Sequence, residues 1–308
     1  MRGIFAAILL LSLTSAAQAW TKAGHMVVGA IAYEVLKKDD PAALARAVAV
    51  LKAHPQYDRL WKKDVEKIGE DDRDLYLFML AGRWADDIRG TEDYDHPTWH
   101  YTNGYYKPPG TPDTVMIPTE PNGDALTAYD DNLAKLRSTA SDEDKAVPLC
   151  WVSHLVGDIH MPLHTVSLFS EQYPEGDRGG NRFFIRAKPD GKALNLHFFW
   201  DDLIIGTDAF RECKSRAIGL RLRPEFAPIQ LTELFETRFE FWAKAESFEL
   251  AKKYAYLEGK LKAGKGDLDA ELLPEGYIAD AKAIAERRGV LAGRRLAAVI
   301  KASFAAKP

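Results

Sequence analysis

Apolar residues recur at helical spacing along most of this chain. Between Gly24 and Lys37, Met26, Val27, Ile31, Ala32, Val35 and Leu36 fall on one side of a predicted helix. Pro41 opens an alanine-rich run, and the first turn is where a helix tolerates proline. Further helices are predicted over 75–88, 125–136 and 142–163, and two long ones over 234–257 and 277–300. Two stretches break the pattern. One, 90–122, is rich in Pro, Gly, Tyr and Asp; the other, 167–181, ends in Asp177-Arg178-Gly179-Gly180-Asn181. Irregular segments of this length in a compact chain are usually functional. Phe183 to Arg186 has the character of a short strand. No internal repeat, linker or composition break divides the chain, so the pattern predicts an all-α fold in a single domain.

The first residues follow a different rule. Met1 and Arg2 form a basic start, Ile4 to Leu13 is an apolar run, and Ala17-Gln18-Ala19 is a small-x-small cleavage site. The run falls well short of the roughly 20 apolar residues that a membrane span needs. The expectation is a signal peptide over 1–19 that is removed, and a functional domain over 20–308. Trp20 then becomes the first residue of a soluble, monomeric, secreted or periplasmic protein with no stable membrane association. Removal of the leader leaves 289 of the 308 residues, enough to bury a sizeable core without staples. The two cysteines, Cys150 and Cys213, fit either one disulfide or two free thiols.

Charge narrows the chemistry. The full chain has 41 Lys and Arg against 45 Asp and Glu, and loss of Arg2 makes the balance more acidic. A protein that grips nucleic acid through basic residues alone is usually strongly positive. If phosphodiesters are handled here, bound metal must supply the positive charge.

The eight histidines carry the strongest signal. In H-L-V-G-D-I-H-M-P-L-H, His154 and Asp158 are four residues apart and share one helix face, while Pro162 ends or bends the helix ahead of His164. A second such pair, His197 and Asp201, lies in N-L-H-F-F-W-D. Imidazole and carboxylate at this spacing chelate an ion of zinc type. W-A-D-D-I-R places Asp86 three residues before Arg89, D-H-P-T-W-H-Y places His100 in the first irregular stretch, and W-T-K-A-G-H places His25 just after Trp20. His54 and His96 have no partner at ligand spacing and read as core or capping residues. His160 lies off the His154/Asp158 face and reads as a supporting or surface residue. Either helical pair alone would equally suit a salt bridge worth a few tenths of a kcal/mol; all of these groups together would not.

In this order the motifs resemble the S-one/P-one type single-strand nuclease family, helical zinc enzymes that cut single-stranded nucleic acids. The likeness continues through D-R-G-G-N to F-W-A-K-A-E-S and A-G-R-R-L-A near the end. It implies three zinc ions. Asp86, His100, His154 and Asp158 would hold the first, and the Trp20 amine and carbonyl with His25 and Asp158 the second. His164, His197 and Asp201 would hold the third. Water between the two ions that share Asp158 would be acidified toward hydroxide and attack phosphorus, with Asp86, Asp158 and Arg89 in the catalytic centre. Arg89 would face the phosphate, Tyr101 would stack a base, and Asn103 would contact it where the family often has Asp. Asn181 would orient a zinc ligand or touch substrate. The segment after His164, with L-F-S-E-Q-Y-P-E-G before Asp177, is longer than the family pattern leads one to expect, and its Phe169 and Tyr173 are candidate second stacking positions. The implied substrates are single-stranded DNA, RNA and nucleotides, giving 5′-phosphorylated products with a 3′-nucleotidase side activity. A zinc phospholipase C and a non-catalytic zinc-binding protein are the alternatives.

Overall fold

Helix α1 (Lys22–Asp39) starts where the Thr21 hydroxyl accepts a hydrogen bond from the Gly24 amide. Every residue from Ala23 to Tyr33 is buried, so this helix is enclosed on all sides rather than laid on a surface. The structure, a computed structural model, describes residues 20–91, 93–120 and 122–305. The expected signal segment and its cleavage site lie outside the described residues.

Asp40 caps α2 (Pro41–Lys52) by accepting the Ala43 amide at 3.0 Å, with Pro41 in the first turn as expected. Two short helices, α3 (Tyr57–Leu60) and α4 (Lys62–Glu66), lead to α5 (Arg73–Asp87). After the first irregular stretch come α6 (Ala125–Leu136) and α7 (Asp142–Asp158). Ser141 caps α7, and Asp142, Glu143 and Asp144 sit at its positive end. Then follow α8 (Leu196–Asp201), α9 (Phe210–Arg221), α10 (Phe239–Phe241), α11 (Phe248–Leu250) and the long α12 (Tyr277–Phe304). α1 packs on α5, α12 and α9, and α7 packs on α5, α6 and α2. The result is the expected all-α body around one continuous core. No helix among the described residues is long and apolar enough to cross a membrane.

Three expectations are corrected. The helix drawn over 142–163 stops at Asp158. Pro162 has no amide to give the Asp158 carbonyl, which takes the Met161 amide at 2.9 Å instead, and Pro162–Thr165 forms a 3-10 turn. The helix drawn over 234–257 begins only at Phe239, because Thr232–Phe235 is a 3-10 turn and the Trp242 indole donates back to the Glu236 carbonyl. It is also not regular: α10 and α11 are joined and followed by π-helical stretches, Trp242–Ser247 and Ala251–Ala255. Finally α9 was not foreseen, since only Cys213, Ala217 and Leu220 of its twelve residues are buried and its apolar stripe is too thin to register. Cys150 in α7 and Cys213 in α9 are buried free thiols, which removes the disulfide alternative.

Small strands tie the irregular stretches down. β1 (Gly104–Tyr106) runs parallel to β2 (Val166–Leu168), joining the first stretch to the chain beyond His164. β3 (Phe184–Arg186), the expected strand, lies between β4 (Ala193–Asn195) and β5 (Glu271–Leu272). Asp177 organises the second stretch from inside. It is wholly buried and accepts the Leu168 amide at 2.8 Å, the Gly180 amide at 2.9 Å and the Tyr256 hydroxyl at 2.6 Å.

His54 is a core residue, and His96 is half-buried against aromatic neighbours. His96 stacks on Trp99 at 3.8 Å, and His54 lies between Trp61 and Trp84 while its Nδ1 accepts the Gln56 amide. Burial lowers the His54 imidazole to about 4. The fold therefore prefers the neutral ring, whereas the unfolded chain takes up a proton below about 6.5. His54 contributes stability above that pH and loses it as pH falls toward 4, by at most about 3 kcal/mol. Urea unfolding of His54→Gln and the parent across this window should show a shallower acid decline in the variant; parallel curves would contradict this account.

Candidate metal centre

Four helices and two loops deliver the predicted ligands to one buried region. α1 supplies His25, α5 supplies Asp86, and α7 supplies His154 and Asp158 one turn apart. His100 ends the 3-10 turn Pro97–His100, and His164 lies in the turn after α7. α8 supplies His197 and Asp201. All eight side chains are buried. The two loops are locked together: the His164 Nδ1 donates to the His100 carbonyl, and the Thr102 amide donates to the His164 carbonyl at 2.9 Å.

Asp158 is the hub. Its Oδ1 lies 3.1 Å from His25 Nε2, and its Oδ2 lies 3.2 Å from His154 Nε2 and 3.3 Å from His100 Nδ1. Asp86 stands between His25 and His154, 3.9 Å from each Nε2. Ligand-capable atoms thus converge in two overlapping sets, His25–Asp86–His154 and His100–His154–Asp158, and a third set, His164–His197–Asp201, lies apart. In the third set His197 Nε2 is 3.0 Å from His164 Nε2 and 3.5 Å from Asp201 Oδ2.

The hydrogen bonds behind the rings fix which nitrogen is available. A carbonyl can only accept, so a ring nitrogen facing one carries the proton. His154 Nδ1 faces the Gly82 carbonyl at 3.0 Å, His197 Nδ1 faces Gly179 at 2.7 Å, and His164 Nδ1 faces His100. A neutral ring so held presents its Nε2 lone pair to the cluster, which is the orientation metal-binding histidines are given by their outer partners. At His154 burial is outweighed by the Asp158 and Asp86 carboxylates, which raise the imidazole, so a bound cation would take the place of its second proton. Lone pairs and carboxylates gathered this way repel unless a cation lies among them. Both Asp158 oxygens, Asp86 Oδ2, Asp201 Oδ1 and His100 Nε2 are buried with no hydrogen-bond partner among the described residues. Leaving such charge uncompensated would cost several kcal/mol, so the donor set fits divalent ions.

The titration shifts carry the same signature. Burial pushes the Asp158 carboxyl up, but the surrounding imidazoles, His154 foremost, outweigh it and hold it well below the usual carboxylate range. Burial, reinforced by His154, lowers His25, and burial lowers His100 to about 4, so both rings stay neutral. Asp201 is raised well above its ordinary value by burial and then by the charges of Asp86 and Asp158. The third set therefore feels the first two as crowded negative charge, which bound cations relieve.

Glycine makes room at two points. A Cβ on Gly157 would lie 2.7 Å from His25 Nδ1, so only glycine lets α1 and α7 approach here. Gly179 has φ +63°, and a Cβ there would lie 2.4 Å from the Leu163 carbonyl. That turn aims its carbonyl at His197.

The remaining expected residues are placed as follows. Trp20 is fully buried at the head of α1, and the next amide, Thr21, donates to the Asp201 carbonyl at 3.3 Å, tying the start of the domain to α8. Arg89 donates from Nε to Asp86 Oδ1 at 2.9 Å, while one terminal nitrogen, NH2, has no partner among the described residues. The half-buried Tyr101 directs its hydroxyl to Asn122, and Asn103 pairs through its backbone with Asn122. Asn181 donates its amide to the Arg178 carbonyl within its own turn. Phe169 and Tyr173 are 3% and 6% exposed, so neither can stack an incoming base; the long insertion folds them into the body. His160 is not on the surface. It is fully buried and turned toward α12, in a charged network that sequence reasoning did not identify, although the motifs F-W-A-K-A-E-S and A-G-R-R-L-A contain three of its members, Glu246, Ser247 and Arg295.

A helical body with three converging sets of imidazole and carboxylate defines a protein able to hold several divalent ions. The chain matches the family described as S1/P1 Nuclease over residues 20–305, and it belongs to that family. It is 26% identical to Endonuclease 4 of Arabidopsis thaliana, across 100% of this chain and 97% of that relative. It is 29% identical to Endonuclease 5 of the same plant over 52% of each chain, and 28% identical to Nuclease S1 of Aspergillus oryzae over 42% of each. The protein is accordingly a nuclease, a hydrolase of phosphodiester bonds whose substrate is nucleic acid.

Stripping divalent ions with a chelator should lower the melting temperature, and returning zinc should restore it. Ligand-linked stabilisation reaches about 4 kcal/mol at a thousandfold excess over the dissociation constant. Asp158→Asn should lose most of that gain. A melting curve indifferent to chelation would show that these clusters hold no ion.

Proposed function

We propose that this chain is an exported, zinc-dependent endonuclease that hydrolyses single-stranded DNA and RNA to 5′-phosphorylated products, with 3′-nucleotidase activity. The observation that carries this reading is the Asp158 carboxylate, buried and shared between His25 on one oxygen and His100 and His154 on the other. A carboxylate so placed suits two neighbouring ions. His25, Asp86, His100, His154 and Asp158 would hold that pair, with the Trp20 amine and carbonyl completing one position. His164, His197 and Asp201 would hold a third.

Ions bound there supply Lewis acidity for phosphate oxygens and lower the pKa of water, so no serine or cysteine nucleophile is required. The protein's own groups do the rest. Arg89 is anchored at Nε by Asp86, and its buried NH2, without a partner among the described residues, would serve a phosphate oxygen. Its planar fork meets the charge that grows on phosphorus in the transition state. Burial of every ligand side chain keeps competing water out. Tyr101 offers a ring on which any base can stack, which suits a sequence-tolerant single-strand substrate, and Asn103 contacts the base edge. Asn181 shapes the Gly179–Gly180 turn behind His197 and has a supporting part. The acidic surface follows, since the ions bring the positive charge.

Arg89→Ala should retain zinc and lose a factor of about 100 to 1,000 in kcat, the scale of one transition-state donor. Metal analysis and initial rates on single-stranded DNA check this, and unchanged kinetics would remove the role. Phosphatidylcholine serves as the control substrate: its turnover without nucleotide release would favour a phospholipase instead, and zinc binding without turnover of either would favour a metal-binding protein.

We further propose that the mature domain is 20–308 and that processing completes the metal centre. The family match begins at Trp20, and the Thr21 contact holds that end beside α8. One extra residue before Trp20 should cost the protein zinc and most of its rate. Full zinc content and full rate in that variant would falsify the processing step.

A further inference from the structure

The turn between Asp158 and His164 must hold two ligand sets in register, and its own bonds, His160 to Gly157, Met161 to Asp158 and His164 to Met161, leave the Ile159 and His160 carbonyls to be met from elsewhere. It follows the C-terminus of α7, where carbonyls lack helical partners, and Pro162 contributes no donor. Side chains from elsewhere supply the donors. Ser247, in the first π-helical stretch, donates its hydroxyl to the Ile159 carbonyl. Arg288 of α12 donates from Nε to the His160 carbonyl at 3.2 Å and from NH2 to the Ser247 hydroxyl at 2.7 Å. His160 Nδ1 faces the Val156 carbonyl at 2.7 Å, so its Nε2 is the acceptor that meets Arg295 at 2.8 Å.

Glu246 holds both arginines. One carboxylate oxygen lies 2.6 Å from Arg288 and 2.7 Å from Arg295, and the other takes a second bond from Arg295 at 2.7 Å. Arg295 also lies over the Trp242 ring, 4.6 Å from its centre, and donates to the Glu233 carbonyl. Both arginine side chains are at most 3% exposed. Two buried cations against one carboxylate leave an excess of positive charge, and the negative end of α7 with its carbonyls absorbs it. The π-helical winding matters because it alters the facing of successive residues, and it is here that Glu246 and Ser247 must point the same way; such windings concentrate at functional sites.

We propose that Glu246, Arg288 and Arg295 are positioning residues that clamp the Ile159–Met161 turn and so set the separation between the Asp158 pair of metal positions and the His164 position. The proposal rests on the metal-centre reading above. It explains why the two late motifs, remote in sequence from every ligand, belong with the site. Outer partners of metal ligands typically change affinity or activity by about 10- to 100-fold when removed.

The test uses the mature protein, stripped of metal and titrated with zinc, in the variants Glu246→Gln, Arg288→Lys and Ser247→Ala. Zinc bound per chain, the zinc-induced rise in melting temperature and the split between kcat and KM on single-stranded DNA are measured together. The clamp predicts weaker uptake of zinc, a smaller zinc-induced rise and a kcat lower by about 10- to 100-fold with KM changed little. If Glu246→Gln does not fold, Ser247→Ala, which removes a single donor, and Arg288→Lys carry the same readouts. A lower melting temperature in the metal-free state with unchanged zinc affinity and unchanged kcat would make the network a mere core brace and overturn the proposal. Zinc uptake is read without turnover. A parent protein that binds zinc yet cleaves no nucleic acid would therefore refute the nuclease reading, while the clamp would stand or fall on the uptake data.

Discussion

The burial of Asp158 is the constraint on which the rest of this structure depends. A carboxylate at the dry centre of a helical body, ringed by imidazoles that present lone pairs, is costly to assemble without cations. The surrounding architecture makes that arrangement tenable. α1 and α7 are enclosed on all sides, so their ligands cannot relax toward water. Gly157 lets them approach closely enough for His25 to reach Asp158. Carbonyls of Gly82, His100 and Gly179 take up Nδ1 of three rings and turn each Nε2 toward the cluster.

The same constraint links fold to chemistry. A nuclease must gather negative phosphate against an enzyme whose own surface is acidic. Ions held by neutral histidines and a few aspartates would place the positive charge inside and so separate substrate affinity from net charge. The irregular stretches then have distinct tasks. The first brings His100 into the ligand cluster and leaves its neighbour Tyr101 half-buried. The second, organised from within by Asp177, brings Gly179 behind His197 and uses its aromatic residues for packing. β1 and β2 join the two, so these long segments are part of the scaffold and not loose covers.

Much of the site was legible beforehand because its ligands obey local rules. His154 with Asp158, and His197 with Asp201, announce themselves by four-residue spacing, and Asp86 with Arg89 by one turn. Pro41 marked the start of α2, and the helix over 125–136 was placed to the residue. The misses have physical causes. Pro162 ended α7 earlier than its apolar run suggested. α9 buries too little to show periodicity, and a π-helical winding leaves no trace in a pattern read at 3.6 residues per turn. Phe169 and Tyr173 looked available because a long insertion carries no sign of which way it folds.

Sequence by itself thus determined the all-helical class, the ligand types, and the pairs that share a helix face, since these follow from composition and the geometry of a single helix. Only the tertiary structure decided that one Asp158 oxygen faces His25 and the other faces His100 and His154, that Asp86 stands between His25 and His154, and that both cysteines are free thiols. It also decided that His160 turns away from the ligands into a buried cluster with Glu246, Arg288 and Arg295. These relations join residues far apart in the chain. Their distances are set by how helices pack, and packing depends on the whole core at once, not on the spacing within any segment.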